Sequence, residues 1–301
     1  MSVDLQAYMK ERAAAVDAAL ERFLPPETAP PETLHKAMRY SVFAGGKRLR
    51  PVLVIAGAEA VGGAADDVLP TACAIELIHT YSLVHDDLPA MDDDDFRRGV
   101  PTNHKVFGDA MAILAGDALL TLAFRLVAEN FNFRSSQPDA ARALKEVLAD
   151  VAEAAGHAGM VGGQVADLEA EGKRVSAEML DSIHARKTGA LIRTSLRVGA
   201  RICGAGESQL AALSTAGGNL GMAFQIVDDI LDVTSSSAEL GKTAGKDQAQ
   251  QKATYPGVHG LEASRRRATA LIDEAELALA PLGARAEPIR ALGRFILERK
   301  A

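Results

Sequence analysis

Two long stretches of this 301-residue chain, residues 105–128 and 213–231, are apolar on almost every side of a helix. A helix that lacks a polar face has to be covered by neighbouring elements. Such helices therefore lie at the centre of a fold, and the chain must supply further helices to surround them. This requirement favours an all-α helical bundle, in which a site is built from side chains on facing helices.

The composition agrees with a helical fold. Hydrophobic residues make up 48% of the chain and aromatic residues only 4%, and alanine and leucine are abundant. Alanine and leucine have high helix propensity, whereas strands favour aromatic and β-branched residues. No sequence repeat, long flexible linker or alternating strand pattern interrupts the helix-like segments, so we expect a single domain over residues 1–301. The predicted helices span residues 3–23, 33–44, 50–61, 67–88, 105–131, 139–159, 176–202, 207–233, 258–282 and 287–299.

Charge and hydropathy narrow the class of protein. The formal net charge of −7 gives no support to nucleic-acid binding, which usually needs a basic face. The first segment, residues 1–20, mixes charges with alanine and lacks the continuous apolar core of a signal peptide. No uncharged run of roughly 18 or more strongly apolar residues indicates a membrane span. We therefore expect a cytoplasmic protein without stable membrane insertion.

A first acidic cluster follows a predicted helix. Asp86 and Asp87 fall in the last turn of a helix that Pro89 ends, and Asp92 stands on the irregular exit. Clustered carboxylates repel one another, and the partial negative charge of a helix C-terminus adds to the repulsion. Mg²⁺ suits such oxygen ligands, because it takes one or two carboxylates and completes its shell with water and substrate phosphate. The cluster predicts a magnesium site. A solvated acidic loop is the alternative, and the spacing of an EF-hand calcium loop is absent.

A second acidic cluster lies more than a hundred residues later, within a strongly apolar segment. Gln225, Asp228, Asp229 and Asp232 are spaced i, i+3, i+4 and i+7, so they share one face of a helix. Carboxylates on such an apolar helix need a metal, a charged partner or a water-filled cleft. A structural carboxylate network is the alternative to a metal site. If the two clusters face each other across a bundle, they can hold metals on both sides of one diphosphate.

Together the clusters resemble a known pair of motifs. HDDLPAMDDDDFRRGVPTNHKVFG at 85–108 and QIVDDILDV at 225–233 are similar to the two aspartate-rich motifs of the trans-prenyl diphosphate synthases, with bacterial farnesyl diphosphate synthases the nearest members. The resemblance covers roughly residues 35–300, and it implies a helical bundle around a deep cavity, usually a homodimer. The agreement extends through GGKRLRP at 45–51, LAGDALL at 114–120, GGQVADLEAEG at 162–172, ARKTGALI at 185–192 and GKTAGKD at 241–247.

The resemblance also implies roles for single residues. It places Mg²⁺, about three ions per active site with substrate bound, on carboxylates at Asp86, Asp87, Asp92, Asp228, Asp229 and Asp232. It assigns isopentenyl diphosphate to Lys47, Arg50, His79 and Arg98. It assigns the allylic diphosphate to Arg97, Lys187, Thr188, Gln225, Lys242 and Lys252, of which Arg97, Lys187, Thr188 and Gln225 would act in catalysis.

The implied reaction joins isopentenyl diphosphate head-to-tail to dimethylallyl or geranyl diphosphate by ionisation, condensation and elimination. Tyr81 and Ser82 precede Asp86 by about one helical turn, where the tail of the growing product would end, so we expect them to limit product length. Tyr81 and the two residues inserted in the first motif favour farnesyl diphosphate. The alternatives are geranyl or geranylgeranyl diphosphate, a non-catalytic regulatory subunit, or a helical metal-binding protein without catalysis.

Overall fold

The computed structural model describes residues 3–130, 139–173, 175–234 and 253–299. Lys242 and Lys252, which the resemblance assigns to the allylic diphosphate, lie outside the described residues. The all-α class expected from the sequence is confirmed. The described α-helices are α1 (Leu5–Phe23), α2 (Glu32–Val42), α3 (Leu49–Ala60), α4 (Leu69–Asp86), α5 (Asn103–Phe107), α6 (Asp109–Glu129), α7 (Ala140–Ala155), α8 (Met160–Ala170), α9 (Ala177–His184), α10 (Ala190–Ile202), α11 (Glu207–Thr234), α12 (Tyr255–His259), α13 (Leu261–Ala278) and α14 (Glu287–Glu298).

The structure departs from the predicted helix boundaries where a local feature overrides the apolar pattern. The predicted helix 105–131 is divided at Gly108, whose φ of 84° lies outside the helical region. The predicted helix 176–202 contains a π-helical turn at Ala185–Gly189, between α9 and α10. Helix α8 was not predicted, and its first residues, MVGG, include two glycines, which have low helix propensity.

A short hairpin was also not predicted. Strands β1 (Phe96–Arg97) and β2 (Val100–Pro101) are antiparallel, with Arg97 opposite Val100. Arg98 and Gly99 form its turn with positive φ values of 53° and 79°, as two-residue hairpins require. Two-residue strands are too short to give an alternating pattern, so nothing in the periodicity signals them.

The core consists of two clusters of buried apolar side chains that share helices. One cluster contains most of the buried face of α4, together with side chains of α1, α2, α6 and α7. The other is built around α11, α13 and α14. Helices α3 and α10 contribute to both clusters, with Val54 and Leu191 in the first and Leu53 and Ile192 in the second. These two helices therefore form the common centre of the bundle.

Among the described residues, helices α6 and α11 are long and apolar enough to cross a membrane by length and composition, although no membrane span was expected from the sequence. Within the most apolar part of each, 39% of α6 and 50% of α11 is buried against the rest of the protein. A core helix meets the same criterion, so this finding is weak evidence for a membrane span.

Candidate active site

The first aspartate-rich motif is a loop folded back onto the end of α4. Asp86 is the last residue of that helix and Asp87 caps it. The backbone N–H of Asp92 donates to the carbonyl of Asp86 over 2.8 Å, and that of Asp94 donates to the carbonyl of Asp87 over 3.2 Å. These bonds satisfy carbonyl groups that the helix end leaves without partners. They also bring Asp92 back beside Asp86, as a shared cation site requires.

The Asp86 carboxylate sits in an unfavourable environment for a negative charge. Burial raises the pKa of Asp86 to about 6, and the neighbouring Asp92 and Asp87 act in the same direction. Lys187 and Arg97 oppose this rise in pKa without cancelling it. A carboxyl group destabilised by burial and by its like-charged neighbours gains most from a bound cation.

Asp87 has a protein partner of its own. Arg97 in β1 approaches a single oxygen of this buried carboxylate, with Nε 2.7 Å and Nη2 2.6 Å from Oδ1. The hairpin presents Arg97 to α4, and Asp94 lies 3.7 Å from the same guanidinium. The first motif thus holds Arg97 in place, and Asp86 and Asp92 are better placed than Asp87 to bind a metal ion.

Arg98, next in the hairpin turn, points to a different partner. Its Nη1 donates to the carbonyl of Gly45, which opens the segment that leads into α3. That segment carries Lys47, which is exposed, and Arg50 in the first turn of α3. The guanidinium Nε of Arg50 is buried without a hydrogen-bond partner. A buried cationic donor without an acceptor is suited to an incoming anion.

His79 lies in the middle of this basic group. Burial lowers its pKa well below the usual value, and Arg50, Arg98, Arg97 and Arg48 lower it further. The His79 imidazole is therefore uncharged at neutral pH, and it can donate a hydrogen bond without adding positive charge to the group. Of the predicted isopentenyl diphosphate residues, Arg50, His79 and Arg98 lie within electrostatic range of one another, and Lys47 stands three residues before Arg50.

Lys187 and Thr188 lie on the π-helical turn, an irregularity often found at functional sites. The Lys187 Nζ is 2.7 Å from Oδ2 of Asp167 on α8. A methyl group at Gly163 would lie 2.3 Å from the backbone nitrogen of Lys187, so only glycine lets α8 approach this closely. Thr188 is buried at 8% exposure, and Gln225 is half-buried on α11.

The second motif lies on the last turns of α11. Oδ1 of Asp228 is 2.8 Å from Nη1 of Arg299, just after α14. Oδ2 of Asp229 accepts a hydrogen bond of 2.7 Å from the backbone N–H of Tyr255, and lies 3.5 Å from Nε2 of His184. Asp232 is exposed. The three carboxylates therefore lie near one end of α11 but have different surroundings.

Shared neighbours connect the two motifs. Lys187 lies within electrostatic range of Asp86, and the turn that carries it packs closely on α11 through Gly189 and Gly221. Arg50 lies within electrostatic range of Asp228. Burial lowers the pKa of Arg50, the charge of Arg98 lowers it further, and the charge of Asp228 raises it. The two motifs consequently border one region between α4 and α11, with basic residues on both sides.

The donor set fits Mg²⁺ bound together with a diphosphate. Across residues 3–130, 139–173, 175–234 and 253–299, no three His, Cys, Asp or Glu side chains form a cluster that would hold a metal ion alone. Mg²⁺ takes only one or two carboxylates where phosphate oxygens and water complete its shell. Asp86 with Asp92 on one side and Asp228 on the other match that requirement.

The two predicted chain-length residues lie on the α4 helix. Tyr81 is 7% exposed, and its ring meets that of His85 edge-on with centroids 5.8 Å apart. Burial raises the pKa of Tyr81, and the charge of Asp86 adds to this effect. Ser82 donates to the carbonyl of His79 over 2.9 Å, so its hydroxyl is used within the helix. Tyr81 has the bulkier side chain of the pair.

Sequence reasoning missed several residues of this site. Gln164 on α8 has both polar side-chain atoms buried without a hydrogen-bond partner, next to the Gly163 contact with Lys187. Asp167 holds Lys187, and both residues lie in the GGQVADLEAEG stretch, which was compared with the family but given no role. Arg48 was also overlooked: it is buried and bonded to Glu76 and Asp17, each over 2.8 Å. No sequence signal pointed to Arg299.

Comparisons with known proteins agree with this geometry. The family model described as polyprenyl synthetase matches residues 31–278. The chain is 46% identical over 274 residues to a farnesyl diphosphate synthase of Geobacillus stearothermophilus, covering 91% of each chain. It is 43% identical over 297 residues to a geranylgeranyl diphosphate synthase of Cyanophora paradoxa, covering 98% of this chain and 97% of the relative. Among solved structures, a geranylgeranyl pyrophosphate synthetase from Pyrococcus horikoshii superposes with a TM-score of 0.87 at 35% identity, covering 99% of each chain.

Proposed function

The chain belongs to the polyprenyl synthetase family, and on that premise we propose that it condenses isopentenyl diphosphate with dimethylallyl and geranyl diphosphate to give farnesyl diphosphate. A short-chain prenyl diphosphate synthase is supported by the relatives, which bear both farnesyl and geranylgeranyl names. The observation that carries the proposal is the position of Lys187, which lies within electrostatic range of Asp86 on a turn that packs through Gly189 on the helix of Asp228. One diphosphate in this region meets both motifs.

Ionisation of the allylic C–O bond leaves a carbocation and a diphosphate. Bound Mg²⁺ supplies Lewis-acid stabilisation of the negative charge that develops on the departing group. Arg97 and Lys187 add positive charge from the protein, and each is already fixed by a carboxylate, Asp87 or Asp167. Groups that are positioned beforehand need no reorganisation as charge develops, which makes such terms large in catalysis.

Condensation requires isopentenyl diphosphate close to the new cation. Lys47, Arg50, His79 and Arg98 form the proposed pocket for its diphosphate group, next to the allylic site. The side-chain oxygens of Thr188 and Gln225 are proposed to stabilise the cationic carbon through their dipoles. Proton loss completes the step. The released diphosphate is the proposed base, so no side chain is assigned to that role.

Product length is proposed to depend on Tyr81. This side chain precedes Asp86 by more than one helical turn and is buried among the apolar residues of α4. A product tail that extends from the metal site along α4 meets this ring. Geranyl and geranylgeranyl diphosphate are the alternative products. A side chain that blocks α4 closer to the metal site would give the shorter product, and one that lies farther away would give the longer product.

Product analysis tests the function. Purified protein, Mg²⁺ and labelled isopentenyl diphosphate are incubated with each allylic primer in turn, and the products are separated by chromatography. Farnesyl diphosphate is expected from both dimethylallyl and geranyl primers. Geranyl or geranylgeranyl diphosphate as the main product would correct the chain length. No product with any primer would contradict the enzyme function itself.

We also propose that the active form is a homodimer that pairs through α6. A groove of about 770 Å³ runs between the start of α2 and the outer face of α6, where Leu114 is 53% exposed. Asp117 and Arg125 on that face stand one turn on either side of Thr121. With a two-fold axis at Thr121, Asp117 of each copy would face Arg125 of the other, the self-complementary arrangement of such a dimer.

The dimer is tested by light scattering on the wild type and on Leu114→Glu. The wild type is expected to have twice the monomer mass and the variant to be monomeric. Leu277→Glu, at an exposed apolar residue on α13, serves as the control. A monomeric wild type would contradict the proposal.

A further inference from the structure

The two adjacent carboxylates of the second motif have different surroundings. Asp228 has a side chain that is 33% exposed, faces Arg299 and lies within range of Arg50. Asp229 is only 14% exposed and contacts Tyr255 and His184 instead. Neighbouring residues on a helix point about 100° apart, so one of them can face a site while the other faces the core.

Asp229 joins three segments of the chain. It lies on α11, accepts a hydrogen bond of 2.7 Å from the first residue of α12, and lies 3.5 Å from the last residue of α9. An N–H bond to a carboxylate is charge-assisted and stronger than one between neutral groups. The rings of His184 and Tyr255 stack with centroids 6.1 Å apart, and Tyr255 stacks on His259 at 4.4 Å. Asp229 of α11 therefore contacts two residues of a stack of three rings, and these contacts connect α11 with α9 and α12.

The contacts of Asp229 with Tyr255 and His184 lie directly beside residues that are proposed to act in catalysis. His184 immediately precedes the π-helical turn that carries Lys187 and Thr188, and Asp229 immediately follows Asp228. A displacement of α9 relative to α11 would therefore change the distance between Lys187 and Asp228. Both groups must act on the same diphosphate, within a tolerance of about 1 Å for efficient catalysis.

We propose that Asp229 is a positioning residue, and not a metal ligand, which holds the Lys187 turn and Asp228 in register through Tyr255 and His184. The functional part of this inference rests on the proposed prenyl transfer, and it revises the metal-binding role that the resemblance implies for Asp229. Asp228 keeps the metal role. In the second motif, Asp228 then binds the metal, and the adjacent Asp229 fixes the position of α9 and α12 relative to α11.

Asparagine and alanine substitutions separate the two roles. Asp229→Asn keeps an oxygen that can accept the Tyr255 N–H but loses the charge, whereas Asp229→Ala loses both. Asp228→Asn is the matched control on the neighbouring residue. Mg²⁺ affinity is measured by calorimetry in the presence of inorganic diphosphate, and the melting temperature by circular dichroism without metal.

Asp229→Asn is expected to change the Mg²⁺ affinity less than threefold, and Asp228→Asn to lower it more than tenfold. Asp229→Ala is expected to lower the melting temperature by several degrees, with Asp229→Asn restoring most of the loss. In the product assay, Asp229→Ala should lower kcat more than it raises either KM, and Asp229→Asn should recover kcat. Recovery of kcat in Asp229→Asn would trace the loss in Asp229→Ala to the hydrogen-bond acceptor at this position, and not to a defect elsewhere in the structure.

Two results would overturn the inference. One is a loss of Mg²⁺ affinity in Asp229→Asn as large as that in Asp228→Asn. The other is an unchanged melting temperature in both Asp229 variants. If the wild type forms no product, the proposed function fails, while calorimetry and melting still decide the role of Asp229.

Discussion

Asp228 of the second motif and Arg299 form an ion pair in which Oδ1 lies 2.8 Å from Nη1. The same guanidinium lies over the ring of Phe224, with its central carbon 4.6 Å from the ring centroid. Arg299 therefore occupies one side of the carboxylate that we propose as a metal ligand. A cation that binds Asp228 has to compete with this built-in partner.

Substitution of Arg299 by alanine is expected to make Mg²⁺ binding easier. Partly exposed ion pairs contribute about 0.2–1 kcal/mol, so the Mg²⁺ concentration for half-maximal activity should fall about 1.5- to 5-fold. Arg294→Ala is the matched control, because Arg294 pairs with Glu276 and Glu287 and not with the second motif. An increased Mg²⁺ requirement in Arg299→Ala would show that Arg299 assists substrate binding instead.

The ionised form of Asp86 is expected to destabilise the metal-free protein. Its pKa is raised to about 6 in the folded state, so the stability it contributes is present below the unfolded value of 3.8 and is lost as pH rises through 6. Asp86→Asn, measured by urea unfolding in EDTA, should be more stable than the wild type by about 1–3 kcal/mol at pH 8. The gain should vanish towards pH 4. The exposed Asp66→Asn serves as control, and an equal gain at both pH values would contradict the prediction.

Arg97 and Arg98 are adjacent but should affect different substrates. Arg97 is held against Asp87, whereas Arg98 bonds to Gly45 beside Lys47. Arg98→Ala should raise KM for isopentenyl diphosphate about 10-fold or more, since a hydrogen bond to a charged group contributes about 1.5–3 kcal/mol. Arg97→Ala should chiefly lower kcat and raise KM for the allylic substrate. Steady-state kinetics with each substrate varied in turn would contradict the assignment if the two variants behaved alike.

Removal of the Tyr81 ring should lengthen the product. Tyr81→Ala opens space behind the metal site, so incubation with excess isopentenyl diphosphate is expected to give geranylgeranyl and longer diphosphates. Tyr81→Phe keeps the ring and should keep the wild-type product. Chromatography of the dephosphorylated products provides the measurement, and an unchanged spectrum in Tyr81→Ala would exclude this residue as the length determinant.

Much of the fold could be predicted from the sequence, because long apolar segments such as those that became α6 and α11 indicate helices that pack against others. Their expected central position holds only in part, because α3 and α10 form the common centre and α6 leaves Leu114 exposed. The hairpin at 96–101 could not be predicted, since its two-residue strands carry no periodic signal. The π-helical turn at 185–189 was missed for a related reason: one extra residue in a turn hardly alters the apolar pattern.

The candidate site shows the same division. The spacing of Asp228 and Asp229 on one helix was readable from the chain, but their separate partners, Arg299 and Tyr255, come from tertiary packing. Likewise, LPAMDD after Asp87 indicated a helix end, whereas only the structure shows Asp92 folded back beside Asp86. Sequence patterns therefore identified the chemistry of the site, and contacts between distant segments determined which carboxylate has which role.

The two aspartate-rich motifs are proposed to act on one diphosphate. Calorimetric titration of inorganic diphosphate in saturating Mg²⁺ into wild type, Asp86→Asn, Asp228→Asn and the double variant tests this proposal directly. Each single variant should weaken diphosphate binding. The loss of binding free energy in the double variant should differ from the sum of the two single losses by more than the roughly 0.5 kcal/mol expected for independent sites. Losses in binding free energy that add within that margin would show that each motif binds separately, and would rule out a shared diphosphate.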